Sequence, residues 1–143
     1  MTRYLRPLVL GVVALGLMAC SRMQPLIVVH QQVPANALAV QNEESLQPAL
    51  IRALLRCRWT IEENQPNRLL ARIDLRGRQS ASITLDYVSG RYDIRYRDSS
   101  NLQYADGKIH KRYNSLVKKL DRAIQQEISF SQSLSNVLQR KSS

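Results

Sequence analysis

An α+β domain is the fold class this sequence predicts: a four-stranded antiparallel meander with two helices on one face, in the order α-β-β-β-β-α. Three observations predict it. From Trp59 to Arg97 apolar and polar residues alternate, with turn residues between the runs, and helical periodicity both precedes and follows that stretch. Period-two alternation places one apolar face inward and leaves the other wet, as antiparallel sheets allow. Both helices must then cover the single apolar face, which gives a two-layer sandwich.

The elements follow in order. Residues 21–42 carry Pro25, Pro34 and several Gln and Asn, and read mainly as a tether, with Leu26-Ile27-Val28-Val29 left open as an edge strand. Leu46, Ala49, Leu50, Ala53, Leu54 and Cys57 then recur at spacings of three and four. Glu43 and Glu44 suit the start of that helix dipole, and Pro48 fits if the helix begins near Ser45.

Trp59, Ile61 and Glu63 share one face of a first strand, and Gln65-Pro66-Asn67 makes the turn. Leu69, Ala71, Ile73 and Leu75 line the second strand, with Arg68, Arg72, Asp74 and Arg76 opposite. After Gly77-Arg78, Ala81, Ile83, Leu85 and Tyr87 line the third. After Ser89-Gly90, Tyr92, Ile94 and Tyr96 line the fourth, opposed by Arg91, Asp93, Arg95 and Arg97. Beyond Asp106-Gly107, one stripe holds Ile109, Tyr113, Leu116, Val117, Leu120, Ile124 and Ile128, a second amphipathic helix. Residues 129–143, rich in Ser and Gln, read as a fraying polar tail. The expected division is a leader over 1–19, a tether over 20–42, the domain over 43–128 and the tail over 129–143.

The leader is read from its composition. Arg3 and Arg6 precede an apolar run from Leu8 to Leu17, and Leu17-Met18-Ala19 runs into Cys20. A basic start, a short apolar core and a small residue at the cut describe a secretory signal. The run is about half the roughly twenty residues a membrane span needs. Leu17-Met18-Ala19-Cys20 resembles the lipobox of bacterial lipoproteins. The resemblance implies cleavage between Ala19 and Cys20, lipid on the Cys20 thiol and, from Ser21, sorting to the outer membrane. Two or more acyl chains hold a protein at a bilayer without any span.

The chain carries a formal charge of +10, and about eight of those charges remain once the leader is removed. So basic a chain would ordinarily suggest nucleic acid. Export removes that partner and leaves anionic lipid, the cell wall or an envelope protein. With Cys20 acylated, Cys57 has no partner in the chain and is expected as a buried thiol. Cys57, His30 and His110 are too scattered for a metal site, and no cofactor motif is present.

The stretch Asp98-Ser99-Ser100-Asn101-Leu102-Gln103-Tyr104, followed by Ile109-His110 and Tyr113-Asn114, resembles a family of small uncharacterised proteobacterial lipoproteins. That family carries an S-x-N-L-x-Y loop before an I-H-x-x-Y-N helix. Arg56-Cys57-Arg58-Trp59-Thr60-Ile61 is similar to its R-G-W-x-I segment. Cys57 stands where Gly is usual, Asn67 where Gly commonly follows Pro, and Leu116 where Trp is usual. The resemblance spans roughly residues 45–128 and implies a fold and a location, not a catalytic residue.

Three candidate sites follow. At 100° per residue, Lys108, Lys111, Arg112, Lys118, Lys119 and Arg122 fall within an arc of about 120° opposite the apolar stripe, a cationic ridge. The wet sheet face gathers Arg68, Arg72, Arg76, Arg91, Arg95 and Arg97 with Asp74, Asp86 and Asp93. At the corner between loop and helix, Asn101, His110 and Asn114 are placed to hydrogen-bond across it. Ser115 and Lys118 match an S-x-x-K spacing without its companion motifs, and both point to solvent. The expected function is a lipid-anchored binding or scaffolding module rather than an enzyme. The alternative is a small periplasmic hydrolase or cell-wall-modifying enzyme.

Overall fold

The computed structural model describes residues 22–34 and 43–141; the expected leader, with Ala19 and Cys20, lies outside them. The elements are β1 (Met23–Pro25), β2 (Val29–Gln32), α1 (Glu43–Arg56), β3 (Thr60–Gln65), β4 (Arg68–Leu75), β5 (Gln79–Val88), β6 (Arg91–Ser100), β7 (Lys108–His110) and α2 (Lys111–Lys141). The domain is α+β. Strands β3 to β6 are successive antiparallel neighbours.

The sheet has five strands rather than four, in the order β2-β6-β5-β4-β3, because β2 joins it at the β6 edge. A separate ribbon pairs β1 with β7. The edge strand left open at Leu26 to Val29 forms as β2, shifted to Val29–Gln32, whereas β1 comes from chain read as tether. Their backbone partners hold them: Leu26 N donates to Gly107 O at 2.9 Å, Val33 N to Gly90 O at 2.8 Å and Lys111 N to Arg22 O at 2.7 Å.

Inward residues of β4, β5 and β6 meet the buried faces of both helices in one core. Leu69 lies opposite Leu85, Leu85 opposite Ile94 and Ile94 opposite Val29. Leu46, Leu50 and Leu54 from α1, with Tyr113, Val117, Leu120 and Ile124 from α2, are wholly buried against that layer. The helices run antiparallel. Arg56 reaches Ala123 O, Gln126 and Glu127, while Arg52 reaches Glu127 and Ser131.

Chain reversal from α1 into the sheet uses a C-terminal cap. Arg58 takes a left-handed φ of 65°, Arg58 N donates to Leu55 O at 3.0 Å and Trp59 N to Leu54 O at 2.9 Å. That pair of bonds closes a helix end and aims the next residue back at the core. Trp59 is 2% exposed as a result. Asn67 at φ 62° turns β3 into β4, a left-handed position that asparagine tolerates better than most residues.

Three further expectations need correction. A bulge between Ile61 and Glu63 puts an extra residue into β3, so Glu63 pairs with Leu70 and leaves Ile61's face. The helix over 43–56 starts ahead of Ser45, so Pro48 lies inside it, exposed. Residues 129–141 are helix, not a frayed tail. Ser129, Ser133 and Ser135 each donate their hydroxyl to the carbonyl four residues back, at 2.9–3.1 Å, which keeps those side chains from competing for non-helical turns.

Candidate functional site

The sheet's outer face is rich in arginine, but most of its charges are spent on one another; Arg76 lies beyond the end of β4, exposed and with no ion pair among the described residues. Asp86 accepts from Arg68 Nε at 2.6 Å and from Arg95. Arg97 Nη1 donates to Glu62 Oε2 at 2.9 Å, and Arg72 pairs with Asp74 at 2.9 Å. His30 Nδ1 lies 2.6 Å from Asp93 Oδ1, with Arg91 Nε at 3.9 Å from the same carboxylate. The register explains the pattern, since Arg68, Asp86, Asp93 and His30 form one cross-strand row. Arg68, Arg95 and Arg97 also rim a shallow depression of about 320 Å³ over Leu70 and Thr84.

Burial resists ionisation of Asp86, but the hydrogen bonds from Arg68 and Arg95 outweigh it and hold the carboxyl below its ordinary range. A depressed carboxyl stabilises the fold above its unfolded value, near pH 4, and that contribution fades as pH falls further. Asp86→Asn should therefore cost about 1 kcal/mol at pH 7, in the range of partly exposed ion pairs. In urea titrations the gap between wild type and variant should shrink progressively as pH falls below the ordinary carboxyl range. An undiminished gap at low pH would mean that the pairing is not its source.

The long helix presents the opposite case. Lys111, Lys118, Lys119 and Arg122 are all exposed on α2, and none has an ion-pair partner among the described residues. The two other expected ridge members differ. Lys108 is exposed but sits in β7, ahead of the helix, so the 100° step does not place it. Arg112 is half-buried, and its Nη1 donates to Gln79 Oε1 at 2.7 Å. Of the six expected ridge members, four are therefore exposed on the helix with no ion-pair partner among the described residues.

Asn101, His110 and Asn114 do not bond across their corner. Asn101 Nδ2 donates to Arg78 O at 2.7 Å and holds the turn between β4 and β5. His110 Nδ1 accepts from Arg112 N at 3.2 Å, at the start of α2. Asn114, 3% exposed, donates to Pro25 O at 2.8 Å and accepts from Ile27 N at 3.3 Å. It is a clamp on the segment entering the sheet. Asn114→Ala should cost about 2 kcal/mol, because two backbone groups lose a partner together. Amide exchange at residues 23–27 should quicken more than at β4 or β5, whereas uniform quickening would contradict a local clamp.

A polar cluster not seen in the sequence lies between β2 and α2. Asp121 accepts from Tyr92 Oη at 2.7 Å, Gln125 Nε2 at 2.9 Å and Gln31 Nε2 at 3.3 Å. Burial, and then the Asp121 carboxylate, drive the Tyr92 hydroxyl far above its ordinary value, so it stays a donor. Beside it, Gln31, Gln32, Pro34, Gln125, Ile128 and Gln132 enclose a cleft of about 240 Å³. Nothing in residue spacing joins Gln31 to Asp121, ninety positions away.

The remaining reactive groups are quiet. Burial pushes the Cys57 thiol up, against smaller opposing effects of Lys119 and Arg56, and its Sγ faces Lys119 O at 4.0 Å. Ser115 is exposed and donates its hydroxyl to Lys111 O at 3.1 Å. Among the described residues no three His, Cys, Asp or Glu side chains converge as a metal site would require. None of the described helices is long and apolar enough to cross a membrane. No family model, curated protein or solved structure matches the chain.

Proposed function

We propose that this chain is a bacterial envelope lipoprotein, anchored through lipid on Cys20 and placed in the outer membrane. Its α+β domain is a binding module that meets an anionic surface or partner through α2. The two-layer arrangement supports this role, since the outward side of α2 is left to solvent while its inward side fills the core. One observation carries the binding role. Arg68, Arg72, Arg95 and Arg97 on the sheet are matched with carboxylates, whereas Lys111, Lys118, Lys119 and Arg122 have no ion-pair partner among the described residues. Unpaired cations near an anionic membrane contribute about 1 kcal/mol each, and a lipid tether keeps them within reach.

Fractionation of bacteria producing the full chain tests the reading. Wild type should pellet with the outer membrane and resist a high-salt wash, because acyl chains are not screened. Cys20→Ala should pellet poorly and leave at high salt, because its remaining attraction is electrostatic and screened. Equal salt-resistant pelleting of both chains would overturn the anchor.

A further inference from the structure

The last third of α2 has a surface the core does not use. Phe130, Leu134, Val137 and Leu138 are 63%, 49%, 55% and 60% exposed. Between Glu127 and Arg140 the chain carries no charged residue, although the whole chain carries +10. Their positions are helical neighbours, so they form one stripe and not scattered exposures. Single exposed apolar residues need no explanation, but a contiguous group does.

Cations bracket the stripe. Stepping 100° per residue, Phe130 and Val137 fall within about 20° of Lys119 on the helix surface, and Arg140 falls on the line of Arg122. One side of α2 therefore reads cation, apolar, cation along its axis. Lys119 stands before the stripe and Lys141 after it, both exposed and within about 20° of Phe130, while the exposed Arg122 and Arg140 flank it about 80° round the helix.

We propose that this side of α2 lies on an anionic phospholipid bilayer, with Phe130, Leu134, Val137 and Leu138 entering the interface and the flanking cations meeting headgroups. Charge selects the occupant. A second copy of so basic a chain would bring the same cations face to face on both sides of the stripe, whereas an anionic bilayer complements them. Interfacial helices combine these two features, an apolar strip that sinks to the acyl boundary and basic residues that stay among headgroups. The inference rests on the envelope reading for the presence of a bilayer, and it adds a second contact beyond the anchor.

The test is amide exchange of the full chain, alone and with vesicles of phosphatidylglycerol or of phosphatidylcholine. Exchange across residues 129–141 should slow about tenfold on phosphatidylglycerol and keep its solution rate on phosphatidylcholine. Phe130→Gln with Val137→Gln should abolish the slowing, as should Arg140→Gln with Lys141→Gln. These positions are exposed, so exchange in β4 and β5 should stay unchanged in both variants. No slowing on phosphatidylglycerol would overturn the proposal. So would slowing that needs no vesicles and rises with protein concentration, the signature of a second copy on the stripe. Lipid on Cys20 is read separately, so protection in a chain that carries no lipid keeps this inference while removing the anchor.

Discussion

Replacing Trp59 by alanine should lower the stability of the domain by about 3–5 kcal/mol, the usual cost of emptying a large aromatic site in a core. Trp59 is among the largest fully enclosed side chains, seated where the α1 cap turns the chain into β3. Its indole Nε1 has no hydrogen-bond partner among the described residues. The loss is then one of packing and apolar burial, and Trp59→Phe should recover most of it. For a domain near 100 residues, each kcal/mol moves the midpoint by about 4 °C or more, so melting should fall by at least 12 °C. Tyr113→Phe is the contrast. The Tyr113 hydroxyl is likewise buried without a partner among the described residues, and burial raises its pKa far above the ordinary value. Removing it should be neutral or stabilising by up to about 1 kcal/mol, since nothing is left unpaired. If Tyr113→Phe proved as damaging as Trp59→Ala, the description of this core would be wrong.

The second large effect is electrostatic. Changing Lys111, Lys118, Lys119 and Arg122 together to glutamine should weaken binding of the unlipidated chain from Ser21 onward to anionic vesicles. At about 1 kcal/mol per cation, the loss is about 4 kcal/mol, or roughly a thousandfold in affinity at low salt. The effect should build in graded steps as the charges are removed one at a time. Raising salt should shrink it, because exposed charges are screened over about 10 Å at 0.1 M. Changing Arg68, Arg95 and Arg97 instead should do far less, as two of their three charges are already offset by Asp86 and Glu62. Equal binding by wild type and the α2 variant, or dependence on the sheet arginines, would contradict the assignment of the face.

How much of this was legible follows from which forces leave a local trace. Leu69 to Tyr96 could be read because burial of one sheet face imposes period two directly on the residues. The second helix could be placed from Tyr113 to Ile128 for the same reason, at period 3.6. Strand β2 was legible only as an open edge strand at Leu26 to Val29, because Val29-His30-Gln31-Gln32 offers little apolar surface. It is fixed by pairing with β6 and by Asn114, which grips the segment just ahead of it from more than eighty residues away. The continuation of α2 to Lys141 was hidden by serine, a weaker helix former than alanine or leucine, although Phe130, Leu134, Val137 and Leu138 kept the spacing. The cations themselves were visible. Which of them are neutralised was not, since Arg68 meets Asp86 through strand register and Arg97 meets Glu62 across the sheet. Asp121 was unreadable as a hub for the same reason.

The most direct test of the anchored-module reading is metabolic labelling with a clickable palmitate, comparing wild type with Cys20→Ala and following the label through membrane fractions. Label on wild type alone, recovered in the outer membrane, is the expected result. It would fix the attachment point and address, and leave capture of an anionic surface as the domain's task. Absence of label from wild type would contradict the reading, leave Cys20 as a free thiol beside Cys57, and detach the cationic helix from any assured membrane.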